Sequence, residues 1–165
     1  MVVDSNPPIP EMPGLAGRHI ELAQAEKIVS APLRELFAWW QSHAAAGPVR
    51  RCDFDITEHR AIAAHLFIIE PISVGYQLAL AGEEYLRLVG TKKGMRYLAE
   101  DPDPTARDFK TYLDLVARIG KPFRSIGRLE LTVRSWIRFE ALLCPLYTAA
   151  GEPGGFIGAA AAHSG

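Results

Sequence analysis

The sequence predicts an α+β fold in which a five-stranded antiparallel sheet carries helices on one face and a leading amphipathic helix covers the other. Three observations predict this fold. Apolar residues recur at helical spacing around residue 36, apolar and polar residues alternate in the middle and the last third of the chain, and one late segment is apolar on both faces. A chain of 165 residues can bury one full core without a disulfide or a metal.

The leading helix is indicated by Leu33, Leu36, Phe37 and Trp40, which fall at i, i+3, i+4 and i+7 and form one apolar stripe. Trp39 lies off that stripe. Two interpretations of Trp39 stay open: it packs on its own domain, or it forms a second contact surface. On the second interpretation, these five residues are the candidate dimer interface.

The middle of the chain predicts short elements. Residues 53–65 are typical of a short helix. Residues 66–69 form an apolar run and residues 76–80 alternate apolar with polar, so together they predict an antiparallel hairpin. Glycines interrupt residues 83–100, and we expect short helical turns there because glycine breaks long helices.

A longer helix is predicted over Pro104–Ile119. Asp103 suits the N-cap because its short side chain can accept a backbone N–H, and Pro104 suits the first helical position. Gly120 then suits the end of the helix because glycine adopts the left-handed conformation at little cost.

The last third predicts three strands, over residues 128–134, 137–146 and 156–161, with a turn near Arg134 and Ser135 between the first two. We expect Glu130 to lie opposite Arg138, which also sets Arg128 opposite Glu140, because the alternative Glu130–Glu140 pairing places like charges together. After Leu142 both faces of the second strand are apolar. The leading helix is therefore predicted to cover the outer face of the sheet.

The chain is predicted to consist of an N-terminal arm, one domain and a short tail. Residues 1–27 are rich in proline, which resists both helix and central strand, so we expect a flexible arm. The domain is predicted over residues 28–161, followed by a tail over 162–165. The N-terminus lacks the basic and apolar regions of a signal peptide, and the longest apolar runs are too short to cross a bilayer.

Composition excludes several classes of protein. The formal net charge of −1 argues against a nucleic-acid binder, which usually carries a strongly basic face. Cys52 and Cys144 lie far apart and form no metal-binding pair, so we expect reduced thiols in a cytoplasmic protein. Composition and spacing predict no activity by themselves.

The element order, together with three short motifs, resembles the PAS domain in its stand-alone or N-terminal proteobacterial form. The motifs are Arg96-Tyr97-Leu98, Arg138-Phe139-Glu140 and Pro145-Leu146. The resemblance implies a sensory or regulatory module, not an enzyme, that binds a small molecule or a downstream signalling protein. It also implies signalling through flanking helices or dimer contacts, and a homodimer is expected.

The resemblance raises the question of a cofactor, and the residues argue for none. A haem iron needs an axial ligand, usually histidine, and residues 104–119 contain no histidine. Neither cysteine lies in the Asn-Cys-Arg-Phe-Leu type of motif that covalent flavin chemistry requires. His59 and His65 are six residues apart, on different helix faces, so no metal site is expected.

A small cavity between the sheet and the middle helices would have apolar walls with a few polar groups. The candidate pocket residues are Leu78, Leu80, Tyr85, Tyr97, Tyr112, Leu129, Leu131, Phe139 and Leu143. The alternative is that these residues only fill the core, with each hydroxyl bonded to the backbone. The protein would then be an interaction or dimerisation adaptor without a ligand.

A third alternative is a cone-shaped α+β enzyme in which Asp55 and His59 form an acid–base pair. It requires both side chains to point into one deep pocket. The simpler interpretation is that Asp55 or Thr57 caps a helix and His59 is solvated.

Overall fold

A computed structural model describes residues 6–132 and 135–163, and it has an α+β architecture. Its elements are β1 (His19–Leu22), α1 (Ala31–Ala44), β2 (Leu66–Ile72), β3 (Gly75–Ala81), α2 (Glu83–Val89), β4 (Arg96–Leu98), α3 (Pro104–Ile119), β5 (Phe123–Thr132), β6 (Ser135–Tyr147) and β7 (Pro153–Ala162). The described strands form one antiparallel sheet in the order β1-β5-β6-β7-β2-β3-β4. Within these residues, no helix has the length and apolar character that crossing a membrane requires.

The helix α3 begins and ends where the sequence predicted. The carboxylate of Asp103 accepts the backbone N–H of Thr105 at 3.0 Å, and Gly120 ends the helix in the left-handed conformation with φ +75°. The predictions of α1, of the β2–β3 hairpin and of the final strands are confirmed as well. The last strand begins three residues earlier than predicted and ends one residue later, because Pro153 pairs with Tyr147 and Ala162 pairs with Phe139.

The count of five strands is wrong. Two short strands complete the sheet at its edges: β1 pairs with β5, and β4 pairs with β3 where helical turns were expected. Strands of three or four residues carry no detectable period of their own, and pairing with a neighbour stabilises them. The predicted helix over 53–65 is instead two 3-10 segments, Arg51–Asp53 and Ile56–His65.

The segment expected to be a flexible arm contains ordered elements from Pro13 onward. A 3-10 turn spans Pro13–Leu15, and the Leu15 side chain is buried in the core that includes α3. The Gly14 N–H donates to a carboxylate oxygen of Asp108 at 2.6 Å. Proline excludes α-helix and central strand but fits such a turn, so the folded unit extends beyond the predicted boundary.

The sheet separates two apolar clusters. The inner cluster joins the sheet to α2 and α3, and it includes Leu143; the outer cluster joins the sheet to α1, and it includes Leu142. The indole N–H of Trp40 donates to the carbonyl of Pro145 at 2.9 Å, which fixes α1 to β6. Helix α1 therefore lies on the face of the sheet opposite to α2 and α3.

The predicted register of β5 and β6 is wrong by two residues. Arg128 lies opposite Arg138, and Ile126 lies opposite Glu140. Thr132 pairs with Ser135, and the connecting residues 133–134 lie outside the described part. The prediction treated Glu140 as a surface charge, whereas its side chain is buried and bound elsewhere.

Glu140 belongs to a buried charge network that joins four segments. Its carboxylate accepts the Arg124 Nε–H at 2.6 Å and the backbone N–H groups of Val29 and Ser30 at 3.0 and 2.8 Å. Arg124 also donates to Glu21 of β1 at 3.0 Å. Since Glu140 is 0% exposed and Arg124 5% exposed, the network links β1, β5, β6 and the start of α1 away from water.

This network predicts a loss of stability in acid. Burial alone would raise the pKa of Glu140, but the bonds from Val29, Ser30 and Arg124 outweigh it and hold the pKa below its ordinary value. Burial would likewise raise the pKa of Glu21, and the bonds from His19 and Arg124 lower it. The unfolded chain therefore binds more protons near and below the ordinary glutamate pKa of about 4.3.

We accordingly expect the contribution of both carboxylates to be complete above about pH 5 and to be lost as the pH falls through their lower folded-state values. Urea unfolding midpoints measured between pH 7 and pH 3 test this. A Glu140→Gln variant should show a shallower acid dependence than the parent, and an equal slope would contradict the assignment.

Candidate functional site

A cavity of about 460 Å³ lies between the inner face of the sheet and the helices α2 and α3. Its apolar walls include Phe67, Val89, Met95, Ala106, Phe109 and Phe139. Its exposed lining residues, Gly90, Lys92, Asp103 and Thr105, lie where the cavity reaches the surface. Volumes of this order are typical of small-molecule sites in proteins.

Three buried tyrosines line the cavity: Tyr85 on α2, Tyr97 on β4 and Tyr112 on α3. The Tyr85 ring stacks on Phe67 with centroids 4.3 Å apart, and the Tyr97 ring lies 4.7 Å from that of Phe109. Burial raises the pKa of all three phenols. Each hydroxyl therefore stays protonated at neutral pH and can donate a hydrogen bond.

The partners of these hydroxyls differ. Tyr97 shares a hydrogen bond with Thr91, and Tyr112 shares one with Ser125. No hydrogen bond joins the Tyr85 hydroxyl to another described residue, and Tyr85, which is 4% exposed, lines the cavity. A polar group left free in a buried wall is costly unless something else in the cavity satisfies it.

Among the cavity residues that sequence reasoning missed is a charged one, Arg18. Its guanidinium carbon lies 5.1 Å from the centroid of the Phe139 ring, in a cation–π arrangement. Burial lowers the pKa of Arg18, yet an arginine remains charged in proteins. No local pattern singled it out, because its place depends on β1 pairing with β5 more than a hundred residues later.

The structure divides the nine predicted pocket residues. Those that line the cavity are Tyr85, Tyr97, Tyr112, Phe139 and Leu143. Leu78 is buried in the inner core without lining the cavity, and Leu80 packs against the outer cluster. The side chains of Leu129 and Leu131 lie outside the part of the chain that the structure describes.

Leu78 and Leu80 face opposite ways because of a β-bulge. Ile69 pairs with Leu78 while its neighbour Ile68 pairs with Leu80, so β3 holds one extra residue at this point. A bulge interrupts the two-residue period on which the prediction for both leucines depended. The prediction that Leu80 lines the pocket is therefore wrong.

The candidate dimer residues are buried within one copy of the chain. Leu33, Leu36, Phe37, Trp39 and Trp40 are all buried in the outer cluster. Trp39 packs edge-on against Phe54, with ring centroids 5.0 Å apart. The structure therefore supports the first interpretation of Trp39, in which this residue packs on its own domain.

Asp55 and His59 do not form an acid–base pair. Asp55 is exposed, and its carboxylate accepts the backbone N–H of Thr57 at 2.9 Å as a helix N-cap. The His59 Nδ1 lies 2.9 Å from a carboxylate oxygen of Glu35, and the ring stacks on Phe54. Neither Asp55 nor His59 lines the inner cavity, which removes the enzyme hypothesis based on them.

Among the described residues the cavity lining contains no histidine and no cysteine, so it offers no imidazole ligand for haem iron and no thiol for a flavin adduct. Cys144 belongs to the outer cluster, and burial raises the pKa of its thiol. Cys52 is exposed. In the described ranges, no three histidine, cysteine or acidic side chains are grouped for a metal ion.

A second depression, of about 620 Å³, lies beside the C-terminal end of α1. Its polar side chains include Gln24, Gln41 and Lys121, which are exposed or half-buried. It therefore differs from the inner cavity, whose tyrosines are buried, and the inner cavity is the better candidate for a small molecule.

The sequence pattern that defines the PAS domain matches residues 28–161. This protein belongs to the PAS domain family. PAS domains are sensory and regulatory modules, a class that is generally non-enzymatic. The cavity between sheet and helices is thus the cavity of a PAS domain. A comparison with curated proteins finds no match to the chain.

The chain is similar to three solved structures at low identity. An RNA-binding light-oxygen-voltage receptor is 14% identical with a TM-score of 0.49, over 88% of this chain and 38% of that chain. A light-oxygen-voltage domain studied with a flavin analogue is 15% identical with a TM-score of 0.46, over 66% and 84%. The VqmA dimer of Vibrio cholerae is 16% identical with a TM-score of 0.47, over 67% and 52%.

Proposed function

We propose that this PAS domain is a sensory module that binds a small molecule in its inner cavity. The observation that carries the proposal is a cavity of about 460 Å³ lined by three buried tyrosines, one of which has no hydrogen-bond partner in the described structure. A core whose only task is packing leaves few such voids and pairs its polar groups. A ligand would fill the space and satisfy the free hydroxyl.

The output of the module is proposed to pass through the segments that flank the cavity. The segment before α1 brings Arg18 into the cavity and Glu21 into the buried network, and the same network holds the start of α1. A shift of Arg18 on binding would therefore reach α1 along the backbone of β1 to Glu21 and from there through the buried bonds of Arg124 and Glu140.

This output is proposed to act through the contacts of a homodimer or through contacts with a downstream signalling protein. The apolar face of α1 is buried in the single chain, so a dimer through this helix would use its exposed face, which includes Arg34, Ala38 and Gln41.

Native mass spectrometry of the freshly purified protein tests ligand binding. We expect a retained small molecule in the parent, and a several-fold lower occupancy in Ala106→Leu, because Ala106 is a buried residue of α3 that lines the cavity. Leucine suits a helix, so α3 should tolerate the change. The matched control, Ala45→Leu, lies on the exposed surface just after α1 and should keep the parent occupancy.

Two results would contradict the proposal. One is equal occupancy in the parent and Ala106→Leu. The other is a parent that retains no molecule and gains no thermal stability from a library of small metabolites. The second result would favour an adaptor that works without a ligand.

A further inference from the structure

The backbone on both sides of Arg18 holds this residue in the cavity. Gly17, with φ +86°, reverses the chain after the first turn, and the Arg18 N–H donates to the carbonyl of Leu15 at 3.2 Å. On β5, a Cβ at Gly127 would lie 3.0 Å from the Arg18 Cγ and 2.9 Å from the Phe139 ring. The absence of that atom leaves space for the Arg18 side chain beside the Phe139 ring.

The charge of Arg18 has no counterpart inside the cavity. Its guanidinium makes no ion pair or hydrogen bond with any described residue. The other charged lining residues, Lys92 and Asp103, are exposed, and the Asp103 carboxylate caps α3. A half-buried cation without a partner is unfavourable, and an anion in the cavity would remove that cost.

The free hydroxyl of Tyr85 belongs to the same cavity as Arg18, and so do Tyr97 and Tyr112. Burial raises the pKa of the three phenols, and the charge of Arg18 opposes that rise in each of them. Tyr97 and Tyr112 already have partners in Thr91 and Ser125. The cavity therefore presents one unpaired cation and one unpaired O–H donor beside an aromatic wall.

We propose that the cavity binds a small organic carboxylate, whose acid group pairs with Arg18 and Tyr85 and whose apolar body lies against the aromatic wall. The inference rests on the proposed function, because it names the chemical class of the molecule sensed. A guanidinium binds a carboxylate through two parallel hydrogen bonds. A phosphate carries more charge and more acceptors than one arginine and one phenol can satisfy.

Arg18 lies outside residues 28–161, the part of the chain that matches the PAS domain pattern. The cavity walls thus come from the family fold, whereas the group that selects the ligand comes from the segment that precedes it.

Isothermal titration calorimetry on the full chain tests the inference. The probes are benzoate, 4-hydroxyphenylacetate, indole-3-acetate and decanoate, each paired with its neutral amide, and inorganic phosphate. We expect at least one carboxylate to bind the parent at least tenfold more tightly than its amide. Arg18→Gln should weaken that carboxylate at least tenfold and abolish the difference between acid and amide.

Two further variants complete the design. Arg118→Gln removes an exposed arginine at the end of α3 and should bind as the parent does. Tyr85→Phe keeps the ring that packs on Phe67 and should weaken the carboxylate about threefold to tenfold, which tests the site even if Arg18→Gln folds poorly.

Equal affinity for acid and amide, unchanged binding by Arg18→Gln, preferential binding of phosphate, or no carboxylate bound by the parent would each overturn the inference. A neutral molecule retained in native mass spectrometry would overturn it while leaving the proposed function intact. If the parent neither retains a molecule nor responds to a metabolite library, the proposed function fails as well.

Discussion

Replacing Glu140 with glutamine is expected to lower the free energy of unfolding by about 3–5 kcal/mol. The carboxylate is fully buried and receives the Arg124 guanidinium and the backbone N–H groups of Val29 and Ser30. Glutamine can accept some of these bonds but cannot offset the positive charge of Arg124. Of its two described carboxylate partners, the buried Arg124 guanidinium would then keep Glu21 alone. Glu21 also contacts His19 and Lys27.

Urea unfolding at pH 7 measures this effect. Glu152→Gln is the matched control, because Glu152 lies exposed between β6 and β7 and should change stability by less than about 0.5 kcal/mol. The double variant Arg124→Gln/Glu140→Gln should cost less than the sum of its single variants, since removing both charges leaves neither unpaired. A Glu140→Gln variant as stable as the parent would show that the network contributes little to folding.

Replacing Gly158 with alanine is expected to cost about 3 kcal/mol, at the upper end of overpacking effects. Gly158 lies in β7 between β6 and β2, opposite Leu143 and Phe67. A Cβ at this position would collide with the far end of the Phe67 ring and lie 2.5 Å from the carbonyl oxygen of Leu142. The carbonyl belongs to the sheet and cannot move, and the ring is held against Tyr85.

Thermal unfolding followed by circular dichroism measures the loss, which corresponds to several degrees for a chain of this size. A smaller residue at position 67 should partly relieve the collision, so Gly158→Ala should cost less in a Phe67→Leu background than in the parent. Additive effects of the two substitutions would contradict the contact between them. An unchanged melting temperature for Gly158→Ala would contradict the packing of the central sheet.

Local signals in the sequence predicted the elements that local interactions define. Asp103 and Pro104 marked the start of α3, and Gly120 marked its end, because capping depends on residues within one turn. The alternating segments predicted the β2–β3 hairpin for the same reason. The family resemblance, carried by short motifs, predicted which face of the sheet would enclose a cavity.

Features that depend on contacts distant in sequence could not be predicted in this way. The register of β5 and β6 follows the buried network of Glu140, and its partners Val29 and Ser30 lie more than a hundred residues away. Charge alternation along the strand indicated a surface pair instead. Arg18 escaped notice for a related reason, because the prolines around residue 10 indicated an arm without structure.

The tyrosines of the cavity fall between these cases. Tyr85, Tyr97 and Tyr112 were predicted as polar groups in an apolar wall, and all three line the cavity. Which hydroxyl lacks a partner depends on the placement of Thr91 and Ser125 around them, and no spacing along the chain encodes that.

The two outermost strands have a consequence for how the chain behaves in a crowded solution. With only four and three residues, β1 and β4 offer too little unpaired backbone to recruit a strand from another molecule. A chain shortened to the family-matched residues would lose β1 and also expose the part of β5 that β1 pairs, from Phe123 to Ile126, so that the outer edge of this ten-residue strand would be open along its full length. The segment before Ile28 thus carries Arg18, and by pairing with β5 it also lowers the tendency of the chain to self-associate.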